Sequence, residues 1–341
     1  MRDDPRRHPH ARRRTPREHW AAFRGSPFVP AVVLTLILAA AAGLFAGTYT
    51  YAMANPGPHR IPVAVTGDPP QRLPAAMRRE LGASLVVHRY PDRAAALRGV
   101  EEQTVFAVFD GSEVDVAGAA GASVARLLTQ TARHADPAVR VRDVRPLQPT
   151  DPQGLAIFYI SLAAVIIGFV GAIQLSVHAK ALRPAERVAF TAAYAALGSW
   201  AIVAVVDGLL GVLRLPVPES WSILALTMFT SGMVFTMFNT LVGRWAMLPT
   251  WGLMVLVGNP SSGGAVSWPL LPSPLGEIGR WLPPGASVSA QHTALYFQGH
   301  QHATPFLTLG AWALVSTVVF VIWRHRHPGG RTATPAHAAP R

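Results

Sequence analysis

Five stretches of this chain run for 18 residues or more with almost no charged side chain, and that pattern decides its class. The stretches cover 28–52, 154–176, 188–213, 220–243 and 306–323. A helix rises about 1.5 Å per residue, so about 20 apolar residues cross the roughly 30 Å hydrocarbon layer of a bilayer. A shorter apolar run, WAMLPTWGLMVLVG at 245–258, makes a sixth candidate. Charged residues are only 14% of the chain, against about a quarter in soluble domains. The sequence therefore predicts a polytopic α-helical membrane protein with six transmembrane helices.

The first span, FVPAVVLTLILAAAAGLFAGTYTYA, follows a basic, proline-containing segment at 1–27 that has no apolar periodicity and reads as a disordered tail. A cleaved signal peptide is the rival reading of this start. The apolar run exceeds the usual 7–15-residue signal core, which favours an uncleaved anchor. Residues 53–153 then change character. Short β-rich runs (IPVAVTG, SLVVHRY, TVFAVFD, EVDVAGAA, VRVRDV) alternate with helical stretches, which predicts an α/β domain between the first and second helices.

Positive charge sets the expected orientation. The segments 1–27, 177–187 and 324–341, with the turn at Arg244, hold 16 of the 30 bases and 4 of the 18 acids. The other side holds 14 of each, so the whole formal charge of +12 lies on one face. That face is expected to be cytoplasmic, against anionic lipid, with both termini on it and 53–153 extracytoplasmic. The charge thus points to membrane lipids and not to nucleic acid. The localisation implied is the cell membrane.

Several chemistries fall away. There is no cysteine, which excludes thiolate metal sites and cysteine nucleophiles. Lys180 is the only lysine and sits in VHAKALR, outside any phosphate-cradling glycine loop. No HExxH or G-x-S-x-G motif occurs, no enzyme activity is expected, and no cofactor is implied. His292, His300 and His302 (QHTALYFQGHQHAT) have spacing compatible with a metal, yet no nearby carboxylate completes a ligand set.

Three places remain as candidate sites. Asp207 is the only acid within a span: either a residue of the transport path or an acid close enough to the outer end to be wetted. In TMFTSGMVFTMFNT, Thr227, Ser231, Gly232 and Asn239 recur near helical spacing; helix packing explains them, and a path-lining role for Asn239 is the sharper alternative. The segment GNPSSGGAVSWPLLPSPLGEIGRWLPPGA, starting at Gly258, is too rich in proline and glycine for a continuous helix. Backbone broken in this way is tolerated in a bilayer only under cover of protein or water. With Trp268 and Trp281 as interfacial anchors, a re-entrant or interfacial hairpin over 259–305 is expected, in which Asn259 also lies and the Gly263-Gly264 pair permits close backbone approach.

The order of IPVAVTG, YPDRAAALRGVEEQTVFAVFDG, DVAGAAGASVARLLTQ, DVRPLQPTDPQG and the 258–286 segment resembles the phage infection protein (Pip) family of type-2 ABC transporter permeases, over about residues 28–325. The resemblance implies a permease subunit that exports lipids, peptides or drugs beside a separate ATPase, as a homodimer. It implies short re-entrant helices in the outer leaflet before the last span. It also turns loop 177–187 toward the ATPase, with Arg183, Glu186 and Arg187 at the coupling surface; topology alone also explains those charges. The long heptad-rich insertion of larger members is missing from this chain. A different class of function, an envelope receptor or scaffold whose outer domain binds a partner without transport, fits the same layout less economically, because one span suffices to anchor a domain.

Overall fold

The computed structural model describes residues 28–54, 57–67, 72–81 and 85–327. The basic tail expected at 1–27 and residues 328–341 of the closing tail lie outside the described residues. Contacts divide the chain into two units at residues 47 and 48. The described part of the first is most of helix α1 (Phe28–Met53), whose 26 residues are apolar on every face, as suits a helix with no aqueous side.

The second unit opens with an α/β domain. Its elements are β1 (Ile61–Thr66), α2 (Arg72–Leu81), β2 (Leu85–Tyr90), α3 (Arg93–Glu101), β3 (Ala107–Asp110), β4 (Glu113–Val116), α4 (Ala122–Ala135) and β5 (Arg140–Asp143). The five strands lie in the order β2-β1-β3-β4-β5. Pairing is parallel except between β3 and β4, which are joined through Gly111 and Ser112 with Gly111 at φ +60°. Ile61, Val63, Phe109, Val114, Met77 and Leu128 fill one face of the sheet, while Ala64, Val108, Ala96 and Val100 fill the other. Two covered faces explain why β1 and β3 read as nearly continuous apolar runs instead of alternating.

One ion pair locks β4, the strand antiparallel to β3, to α3. Asp115 in β4 is 2% exposed and accepts from the Arg93 guanidinium at 2.6 and 2.8 Å, and the pairing holds the Arg93 pKa above its ordinary value. Water reaches Arg93, so the pair contributes less than a fully buried one. Replacing Asp115 with alanine is expected to cost about 1–2 kcal/mol and to speed hydrogen exchange of the β3 and β4 amides about tenfold. Exchange at the wild-type rate would show that the pair is dispensable.

The remainder is helical: α5 (Ala156–His178), α6 (Pro184–Val203, continued by a π-helical turn Ala204–Leu209), α7 (Val217–Val242), α8 (Met247–Trp251, continued by a π-helical turn Gly252–Val257), α9 (Ser273–Ile278), α10 (Pro283–Tyr296) and α11 (Ala303–Arg326). With α1, five helices are long and apolar enough to cross a membrane. The sixth expected span is different. Met247–Val257 has 11 helical residues, or about 17 Å, roughly half the hydrocarbon thickness. Pro249 lacks an N–H in its first turn, Gly252 opens a wider π-helical turn, and Gly258 and Pro260 follow.

Helix α7 is the axis of the bundle, packed by α5, α6, α10 and α11. Small residues let the helices approach. A Cβ on Gly168 of α5 would stand 2.5 Å from the Met228 carbonyl oxygen, and one on Gly232 would overlap the Tyr194 hydroxyl. Thr227, Ser231 and Gly232 therefore serve helix packing, and half-buried Asn239 lies two turns beyond Gly232 on the same face. At its start α6 is fixed by Pro184 and by Glu186, whose carboxylate accepts from the Arg183 backbone N–H at 2.8 Å.

Candidate functional site

The segment 258–296 is built into the bundle and the α/β domain together. Val266 and the buried Leu270 complete the apolar core of the α/β domain. Pro269 accepts from the His59 N–H at 2.7 Å, the Ser123 hydroxyl meets that of Ser267 at 2.8 Å, and the Trp268 ring lies 6.0 Å from that of Phe106. From there the chain turns down beside the helices. Trp281 accepts at its carbonyl from the Trp312 indole at 2.9 Å, nine residues inside α11, or about 14 Å below its first turn.

Helix α10 then climbs back antiparallel to α7. The Ser287 and Thr227 hydroxyls are 2.9 Å apart, and four residues later the Gln291 amide donates to the Ser220 carbonyl at 2.8 Å. Two backbone crossings close the hairpin: a Cβ on Gly279 would overlap the Ser261 carbonyl, and one on Gly285 the Gly279 carbonyl. These crossings are possible because neither residue carries a side chain. Gly263 has φ +79°, a conformation that favours glycine, and Gly264 packs on Phe158 and Val288. The buried Asn259 amide donates to the Tyr49 hydroxyl at 2.6 Å. Trp281 is thus at the deep end of the hairpin and not beside Trp268 at its start.

A second group of contacts ties the α/β domain to the helices. Gln148 accepts from the Arg214 N–H at 2.9 Å and Thr150 donates to the Val212 carbonyl at 2.6 Å, both in the turn after α6. Asp151 caps α5, accepting from Leu155 N at 3.1 Å and Ala156 N at 3.0 Å. His292 sits nearby with its ring 5.3 Å from that of Tyr296. Part of its edge reaches the surface, yet desolvation holds its pKa below the ordinary histidine range, against the pull of Asp151. His300 and His302 lie exposed or half-buried beyond α10 in the turn before α11, and among the described residues no group of three His, Asp or Glu is placed to hold a metal.

Asp207 lies in the π-helical turn that ends α6, half-exposed, and forms no ion pair among the described residues. Its place is the domain side of the bundle. At the far end, away from the α/β domain, a cavity of about 650 Å³ opens between α5, α6, α7 and α11. Ser176, Lys180, Arg187, Thr236, Asn239 and Thr240 line it, with Phe320, Trp323, Arg324 and His327 completing the wall. Of the residues singled out from sequence, Asn239 and Arg187 meet there. Arg183 and Glu186 form the cap of α6 instead, and Asp207, Gly263 and Gly264 are elsewhere.

No family model matches the chain, and no curated protein or solved structure is significantly similar to it. The site is thus read from its own chemistry. Sequence reasoning missed this cluster: it tested Lys180 only against a phosphate loop and as topology-setting charge, counted Arg324 for topology, and left His327 and Trp323 at the end of the last span without a role. A signal was present: positions 320, 323, 324 and 327 follow i, i+3, i+4, i+7 spacing, 236, 239 and 240 follow i, i+3, i+4, and 176 and 180 are four apart. The sets on α7 and α11 each share one helix face, Lys180 follows two residues past the end of α5, and the three elements converge.

Proposed function

We propose that this chain is the membrane subunit of an ABC-type exporter, moving an amphipathic or lipid-like substrate, peptide or drug outward with energy from a separate ATPase, as a homodimer in the cell membrane. In this reading both termini and the far-end cavity are cytoplasmic and the α/β domain is outside. Helix α8 and residues 258–267 together make the sixth crossing, and the α9–α10 hairpin dips into the outer leaflet under protein cover.

The observation that carries the reading is the polar interior of that hairpin. Asn259, Ser261, Ser287, Gln291 and Thr293 are each no more than 2% exposed, and the backbone that carries them is interrupted by Pro260, Gly263, Pro283 and Pro284. An anchor for an outer domain gains nothing from buried polar groups and broken backbone, both of which are costly in hydrocarbon. A structure that must open between two arrangements has a use for such a discontinuous element. The Pip-family resemblance supports the same assignment, and so does the absence of any lysine-bearing phosphate loop, which leaves ATP hydrolysis to a partner.

The test is affinity purification in mild detergent followed by transport in inverted membrane vesicles. An ABC ATPase is expected to copurify, and ATP is expected to drive uptake of a fluorescent lipid analogue that stops when the ATPase is disabled. Purification of the chain without any ATPase, together with vesicles that show no ATP-dependent uptake, would overturn the proposal in favour of a scaffold.

A further inference from the structure

We infer that the far-end cavity is a binding site for a phosphate-bearing headgroup, with an anionic phospholipid as its source. Three permanent cations, Lys180, Arg187 and Arg324, line it with His327, and among the described residues no carboxylate does. None of the three forms an ion pair with a described residue. The nearest acid in sequence, Glu186, is occupied by the Arg183 cap.

The hydrogen-bonding inventory selects an acceptor ligand. Ser176, Thr236 and Thr240 spend their hydroxyl protons on the carbonyls of Ile173, Gly232 and Thr236 within their own helices, at 2.7, 2.8 and 2.8 Å. The groups left to donate into the cavity are the Asn239 amide, the Lys180 ammonium and the two guanidiniums. Arg187 uses one N–H on the Ala179 carbonyl at 3.1 Å, which holds its planar fork in place while the other donors stay free. A rigid guanidinium fork matches the oxygen geometry of a phosphate.

Helix ends work in both directions here. The C-termini of α5, α7 and α11 bring negative dipole ends to this face, while the N-terminus of α6 brings a positive one beside Arg187. Clustered cations offset the three negative ends, which explains why a site with no anionic side chain needs so many of them. Buried Phe320 and half-exposed Trp323 supply an apolar wall, and the cavity volume lies within the range of sites for small ligands. Cationic rim, amide donor and aromatic wall together fit the junction between a phosphate and the chain it carries. A free phosphate would use only the rim. The proposal concerns binding and does not rest on transport.

The full chain is reconstituted in nanodiscs of phosphatidylcholine, with or without phosphatidylglycerol, extracted, and weighed with its retained lipids by native mass spectrometry. Selective retention of phosphatidylglycerol is expected. Removing two surface-exposed cations in K180Q/R324Q is expected to weaken it about thirtyfold. R326Q, which removes an exposed charge of the same helix end outside the cavity, is expected to leave it within about twofold. Both replaced side chains are exposed, so the fold survives, and N239L supplies an uncharged second variant expected to weaken retention. Displacement by inorganic phosphate would assign the site to the small anion and overturn the lipid source; continued selection in its presence supports the lipid. Equal retention of both lipids, or an R326Q loss equal to that of K180Q/R324Q, would overturn the site.

Discussion

Alanine at Gly279 is expected to destroy most of the folded protein. The added Cβ would overlap the Ser261 carbonyl, a backbone group held by the turn 259–262, in which Ser262 N donates to Asn259 O at 3.2 Å. A crowded side chain can change rotamer, but a crowded backbone must move with everything attached to it. Here that includes the Gly285–Gly279 crossing six residues on and the Trp312 bond to Trp281. Overpacking a side-chain core costs about 1–3 kcal/mol. A backbone clash at the closure of a hairpin belongs above that range, at about 3 kcal/mol or more. A fall of about 5–10 °C in the melting temperature in detergent is expected, with a large loss of monodisperse protein on size exclusion.

Gly263→Ala is the matched control. Its Cβ would meet nothing nearer than Trp268 N at 3.9 Å, so only the strain of φ +79° is felt, at about 1 kcal/mol. If G279A melted with the wild type, or no lower than G263A, the hairpin would not close through the Ser261–Gly279 crossing.

That crossing also marks where sequence stops informing structure. The long apolar helices were legible because 18 or more apolar residues leave few alternatives, and the α/β domain because strand-like and helical runs alternate. The proline- and glycine-rich segment was legible as broken, and its burial under the domain was not. The contacts that fold it join backbone at 261 to 279 and 279 to 285, and side chains at 267 to 123 and 312 to 281; no periodicity encodes those pairs.

Helix α8 shows a second limit. Fourteen apolar residues satisfy a hydropathy pattern equally well as a span or as a buried half-helix, and only Pro249 and Gly252 hinted at the shorter form. Asp207 shows a third. An acid in an apolar run draws attention by its cost, yet it lies at the domain end of the bundle, and the cations that meet at the other end come from the ends of three separate helices, α5, α6 and α11. Charge type and helical face were written in the sequence. The convergence of those faces was made by tertiary packing around α7.

Asp151→Ala should separate the α/β domain from the bundle at their covalent junction. The Asp151 side chain is buried, and its two oxygens accept from the first free N–H groups of α5, Leu155 and Ala156. These donors have no intrahelical partner, and a negative charge opposite them also meets the positive end of the helix dipole. Alanine leaves both N–H groups unpaired beneath the domain, at an expected cost of about 2 kcal/mol. The same turn places Gln148 and Thr150 on Arg214 and Val212, so a frayed start to α5 loosens those bonds as well. Asparagine keeps one acceptor and loses the charge, and about half the effect should remain. The measurement is hydrogen exchange across 148–156 and 212–216 in the detergent-solubilised protein. Both segments should exchange faster in D151A, with D151N between it and the wild type. Faster exchange confined to 152–156 would mean that Asp151 caps α5 without coupling the domain to the bundle.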